Sequence, residues 1–240
     1  MAVRPVLVLV HGTRFDARQW DGYADLIPEA DLVTVDLPGH GERAGAEYSS
    51  AAAVAAVTDV LEEVAARVPR PPVVLAGHSL GGYVATTVAE HHPDLIDALV
   101  LIGAAADPTR HPILRHLYSG FARTLGVVGP DRMARATNRV LRRLGAADAD
   151  LPGTTGYDVL PTAWATTAAE ASARQLADLT CPVFLVSGRF DQLGIDTRRY
   201  ARACVDARVR VIPRATHLAP ITHRPQLAAI LREAIDAVGG

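Results

Sequence analysis

Ser79 stands in the stretch Gly77-His78-Ser79-Leu80-Gly81-Gly82, between the apolar run Val73 to Ala76 and the helix-like run Tyr83 to His91. A serine hydroxyl is a poor nucleophile at neutral pH. It needs a base, and histidine suits because its pKa lies near working pH. A third group, usually a buried carboxylate, must orient the imidazole. A sharp strand-to-helix turn exposes such a hydroxyl beside the free N–H groups of a helix N-terminus. That turn strains the backbone, and Gly77 and Gly81 supply the small neighbours it needs, while Gly82 lets the helix approach the sheet. Parallel sheets gather functional groups at the carboxyl ends of their strands. The run ending at Val186 is followed by Ser187-Gly188-Arg189-Phe190-Asp191, and the run ending at Ile212 by Pro213-Arg214-Ala215-Thr216-His217. Ser79, Asp191 and His217 therefore form a candidate nucleophile, acid and base. Asp107, beyond the strand Ala98 to Ile102, is the rival acid, and Asp191 is preferred on position.

The elements that must position these groups alternate. Val3 to Val10, Asp31 to Val35, Val73 to Ala76, Ala98 to Ile102, Pro182 to Val186 and Arg208 to Ile212 read as strands, with Val3 to Val10, Asp31 to Val35 and Ala98 to Ile102 expected to be buried. Helices are expected from Ala17 to about Ile27, from Ser49 or Ser50 to about Val68, after the elbow, from Thr197 to Cys204 and from Pro225 to Val238. Strand–helix alternation predicts an α/β fold with a mostly parallel, doubly wound sheet of about six strands. From Asp107 to about Thr180 no strand-like run occurs. Leu114 to Leu125, Arg132 to Leu144 and Tyr157 to Leu176 look helical, so residues 107–180 are expected to form a helical cap inserted into a core of residues 1–106 and 181–240.

Composition narrows the chemistry. The 240 residues carry a net charge of -2 and are 49% hydrophobic, which speaks against disorder, nucleic-acid binding and membrane association. All 24 basic residues are Arg, so no lysine Schiff base is available. Cys181 and Cys204 form neither a metal pattern nor a disulfide framework. The N-terminal apolar run is too short for a secretory signal or a span, and a cytoplasmic location is expected.

Val10-His11-Gly12, Asp36-Leu37-Pro38-Gly39-His40-Gly41, the Gly77 to Gly82 elbow, Gly188-Arg189-Phe190-Asp191 and Thr216-His217-Leu218 together resemble the α/β-hydrolase superfamily over essentially the whole chain. The resemblance implies Ser79 as nucleophile, His217 as base, Asp191 as orienting acid, and an oxyanion hole from the backbone N–H groups of Thr13 and Leu80. It implies no metal and no organic cofactor. The chain lacks the family's usual first two strands, and in this it is similar to small methylesterases and hydroxynitrile lyases. The absence of Lys disfavours the lyase branch, and a Ser nucleophile disfavours dehalogenase and epoxide hydrolase chemistry.

The expected activity is hydrolysis of a carboxylic ester of a small to medium apolar molecule through an acyl-enzyme. Thioester, lactone or carbon–carbon bond cleavage, a biosynthetic tailoring role, and a ligand-binding protein with little turnover are the alternatives. Phe15, Leu117, Tyr118, Phe121, Tyr157, Trp164 and Leu193 are candidates to line the pocket or to fill the cap core. Arg132, Arg135, Arg139, Arg142 and Arg143 lie mainly off the apolar face of Met133, Val140, Leu141 and Leu144, and read as a solvated face rather than an anion site.

Overall fold

The computed structural model describes residues 3–107, 110–111, 130–143 and 155–239. Its strands are β1 (Val6–Val10), β2 (Asp31–Val35), β3 (Val73–His78), β4 (Ala98–Ile102), β5 (Val183–Gly188) and β6 (Ala207–Ile212). They form one six-stranded sheet, parallel throughout, in the order β2-β1-β3-β4-β5-β6. The described helices are α1 (Tyr23–Leu26), α2 (Ser50–Ala65), α3 (Leu80–His91), α4 (Pro130–Arg143), α5 (Leu160–Glu170), α6 (Thr197–Ala203), α7 (Ala219–Thr222) and α8 (Arg224–Asp236). The winding reverses between β1 and β3, which opens a crevice at their carboxyl ends.

The strands explain their own composition. Successive side chains of a strand point to opposite faces, and helices cover both faces here. Val6, Val8, Val10, Leu75, Leu99 and Leu185 pack with Val57 and Leu61 of α2, Val84 and Val88 of α3, and Tyr200 of α6. Leu7, Leu9, Val74, Val100 and Phe184 pack on the other side with Tyr23 of α1 and Leu227, Leu231 and Ile235 of α8. Each fully buried Val or Leu contributes about 1.5–3 kcal/mol. β1, β3, β4 and β5 are buried along their whole length.

β2 departs from the expected buried strand. It lies at one edge of the sheet, and Asp31 and Thr34 are exposed. β6 occupies the opposite edge, with Val209 and Val211 exposed. The helix expected over Ala17 to Ile27 is two short pieces, a 3-10 turn at Ala17–Trp20 and then α1. Gly22 divides them at φ 80°. The helix expected over Tyr157 to Leu176 divides as well. Ala171 turns extended, and Ser172 starts a new turn by capping Arg174 N–H while the Gln175 side chain caps Ser172. The helix expected over Leu114 to Leu125 lies outside the described residues. Among the described residues no helix is long and apolar enough to cross a membrane.

Asp36, at the end of β2, ties two loops of the crevice together. Its Oδ1 accepts from Ala17 N–H at 2.7 Å and its Oδ2 from Glu42 N–H at 2.9 Å. Asp36→Ala leaves both donors without this partner and is expected to destabilise the fold by about 1–3 kcal/mol, read as a lowered denaturant midpoint at unchanged slope.

Candidate active site

Ser79 sits at the junction of β3 and α3 with φ 51° and ψ -118°, a backbone conformation that L-residues rarely adopt. The turn around it is tight. A Cβ on Gly77 would lie 2.2 Å from the carbonyl oxygen of Gly81, so only glycine fits. Ser79 N–H donates to the Ile102 carbonyl at 2.8 Å, which anchors the elbow to β4. Leu80 opens α3, and the first N–H groups of a helix have no partner within it. Thr13 lies just beyond β1, next to Arg14 at φ 71°.

Asp191 and His217 meet across the ends of β5 and β6. His217 Nδ1 donates to Asp191 Oδ1 at 3.0 Å. The same oxygen accepts from Leu193 N–H at 2.8 Å. The Asp191 side chain is 2% exposed and that of His217 is 18% exposed. Burial pushes the Asp191 carboxyl up, but the hydrogen bond and charge of His217, with the Leu193 amide, outweigh it and hold the group below the usual carboxylate range. Gly103, at φ 57°, makes room for the pair: a Cβ there would lie 2.7 Å from Asp191 Oδ2 and 2.8 Å from His217 Nδ1. Asp107, the rival acid, is buried beside Tyr200, and its N–H donates to Asp196 Oδ2 at 2.9 Å.

A cavity of about 340 Å³, counting space open to solvent, lies at the elbow and is lined by Thr13, Ser79, Leu80, Tyr83, Trp164, Thr167 and Leu193. Trp164 and Leu193 were expected there. Tyr83 and Thr167 were not, although spacing could have found both. Tyr83 is one helical turn beyond Ser79, and Thr167 is one turn beyond Trp164 on α5. Phe15 instead packs against Leu218 and Ile221. Tyr157 is buried with Ala134 and Leu160, and its hydroxyl accepts from Arg14 Nη1 at 2.9 Å. Leu117, Tyr118 and Phe121 lie outside the described residues. Arg132, Arg135, Arg139 and Arg142 are exposed on α4.

Three buried histidines hold the surrounding loops. His11 Nε2 accepts from Leu37 N–H at 3.0 Å, which requires a bare Nε2, and its Nδ1 donates to the Gly12 carbonyl at 2.9 Å. Asp36 lies 3.8 Å from the same Nε2, but the amide fixes the ring as neutral. Burial, then the neighbouring His40, push the His11 pKa down to about 4. His40 Nδ1 donates to the Pro38 carbonyl at 3.0 Å, and burial lowers this group too. His78 lies directly behind the elbow, and burial, followed by His217, pushes it down to about 3.

A strained serine at a strand–helix turn, an Asp–His pair at the ends of two further parallel strands and a crevice at the winding reversal define an α/β hydrolase. The profile described as "Alpha/beta hydrolase family" matches residues 7–230, and the chain belongs to that family. A biotin biosynthesis bifunctional protein of Teredinibacter turnerae is 30% identical over 136 residues, 49% of this chain but 23% of that protein, so the chain spans under a third of its length. A pimeloyl-[acyl-carrier protein] methyl ester esterase of Pectobacterium carotovorum is 30% identical over 245 residues, 90% of this chain and 89% of the esterase. The crystal structure of NosK from Streptomyces actuosus superposes with a TM-score of 0.74 at 25% identity, over 99% of this chain and 100% of that one.

The buried neutral imidazoles make the fold acid-sensitive. His11 and His78 titrate near 6.5 when unfolded but near 4 and 3 when folded. The unfolded chain therefore binds more protons between those values. The contribution of these two rings to stability is complete above pH 6.5 and is lost progressively as pH drops through that window. Urea midpoints at pH 7.5 and pH 5 are expected to fall accordingly, and equal midpoints would contradict the burial of neutral rings.

Proposed function

We propose that the chain is a serine esterase that cleaves a carboxylic ester of a small to medium apolar molecule. The observation that carries this reading is the 3.0 Å bond from His217 Nδ1 to the buried Asp191 carboxylate, which makes Nε2 the acceptor nitrogen of the neutral ring. In this mechanism Ser79 Oγ attacks the ester carbonyl while His217 Nε2 takes its proton. The N–H groups of Thr13 and Leu80 receive the tetrahedral oxyanion. His217 then gives the proton to the leaving alcohol. Water, activated by the same nitrogen, attacks the acyl-enzyme and releases the acid. Asp191 holds the imidazole in the Nδ1–H tautomer and stabilises its charged form.

Residues 107–180 act as the cap in this reading, because α4 and α5 come between β4 and β5 in the chain and add no strand to the sheet. Trp164 and Thr167 of α5 reach the cavity that holds Ser79. Apolar walls with few polar groups favour an apolar acyl or alcohol moiety. The name of the Pectobacterium relative supports an ester as the bond attacked.

Turnover of p-nitrophenyl esters from acetate to laurate by wild type and Ser79→Ala tests the reading. Activity is expected to peak at one chain length and to vanish in the variant. Ser79-independent turnover at every length would refute it. Asp191→Asn is expected to lower kcat by about 10⁴ with KM little changed, since it disturbs the tautomer more than binding. A wild-type kcat in that variant would move the acid role to Asp107.

A further inference from the structure

Behind Ser79 runs a buried hydrogen-bond relay whose polarity is fixed at both ends. At one end Gly12 N–H donates to Gln19 Oε1 at 3.0 Å. A backbone amide can only donate, so the oxygen of the Gln19 side chain must face Gly12; its NH₂ is the nearer group to His78 Nδ1, at 3.2 Å, with Oε1 3.4 Å from the same ring nitrogen. At the other end His78 Nε2 lies 2.9 Å from the His217 carbonyl. A carbonyl can only accept, so Nε2 carries the hydrogen and Nδ1 is bare. The two assignments agree on one proton arrangement, with His78 neutral. Gln19 is 3% exposed and His78 2% exposed, so water does not substitute for either. Gly12 also abuts this ring: a Cβ there would lie 2.5 Å from His78 Nδ1.

The relay joins loops that must be held in register. Gly12 precedes Thr13, His78 precedes Ser79, and the carbonyl at the far end belongs to His217 itself. We propose that Gln19 is a positioning residue which, through neutral His78, sets the oxyanion arm at Gly12-Thr13 and the His217 loop relative to Ser79. The inference rests on the serine esterase reading above and assigns a role that the nucleophile, acid and base do not cover. Volume alone would not require it, since an apolar side chain of equal size would fill the same space. The titratable groups acting on His78 are His217, whose ring centroid is 4.8 Å away, Asp191 and His11.

Two near-isosteric variants separate positioning from packing. Gln19→Met keeps the volume and removes both hydrogen bonds. It is expected to lower kcat about tenfold or more with KM within about threefold, because small misplacements of reacting groups are costly. Gln19→Glu keeps the acceptor for Gly12 but sets a second acceptor against bare Nδ1. The relay then closes only when the new carboxyl and His78 share one added proton. The ratio of its kcat to that of wild type is therefore expected to lie near one at low pH and to fall about tenfold as pH rises.

A Gln19→Met kcat within twofold of wild type would overturn the proposal. So would a Gln19→Glu variant as impaired as Gln19→Met at every pH. If Gln19→Met does not fold, as judged by circular dichroism and thermal melting, a pH-independent loss in Gln19→Glu overturns it alone. Labelling of Ser79 by a fluorophosphonate is followed in parallel on wild type. A wild type that neither turns over esters nor labels at Ser79 removes the esterase reading and this proposal together. A wild type that does both, with unaffected Gln19 variants, removes this proposal only.

Discussion

Several loops converge at the carboxyl end of the sheet, and the backbone polar groups they bury there must be hydrogen-bonded within the protein. An orphaned buried donor or acceptor costs about 1–3 kcal/mol, and loops packed against one another leave no solvent to meet that cost. Side chains resolve it here. His11 takes the Leu37 amide and the Gly12 carbonyl, Gln19 takes the Gly12 amide, and His78 takes the His217 carbonyl. Imidazole suits the task because one ring nitrogen donates while the other accepts, bridging loops that approach from different strands. The requirement also fixes these rings as neutral, and acid sensitivity follows directly.

Backbone strain collects at the same end of the sheet. Among the described residues, the non-glycine positions with positive φ are Arg14, Ser79 and Arg214, which follow β1, β3 and β6. Each costs about 1–3 kcal/mol and persists only where its surroundings over-determine it. β1 and β3 are buried on both faces, and the Ser79 amide is tied to β4, so the elbow has little freedom to relax. Arg14 gains a compensating contact, with its guanidinium on the Tyr157 hydroxyl and 5.4 Å from that ring's centroid. Rigid strands thus hold the strained turns, and the turns set the direction of the groups that face the cavity.

The sheet was legible because burial on both faces leaves continuous Val- and Leu-rich runs, and the carboxyl ends of those runs point to Ser79, Asp191 and His217. Edge placement was not legible. β2 read as a buried strand, and only the order of pairing shows that it and β6 form the open edges. The breaks at Gly22 and Ser172 were missed because helical periodicity continues across them, while a left-handed glycine or a capping box ends the helix locally. Phe15 and Tyr157 read as candidates for either the pocket or the cap core, because aromatic size and chain position do not reveal direction. Gly103 and Gln19 escaped notice for a related reason. Each matters through a contact with groups far away in the chain, which no local pattern encodes.

The cavity walls differ in how closely they are tied to the proposed chemistry. Leu193 lines the cavity, yet its N–H is bonded to the same Asp191 oxygen that holds His217, and its carbonyl accepts from Ala105 N–H at 3.1 Å. A change of shape at Leu193 therefore pulls on the acid and, through it, on the base. Trp164 and Thr167 line it from α5, a separate element whose first turn packs Leu160 against Tyr157. α5 contains neither Asp191 nor His217, so substitutions there reach the cavity from an element separate from that pair. The proposed cap is where such a scaffold can vary its substrate, whereas the acid loop, which both shapes the pocket and orients the base, is held by two requirements at once.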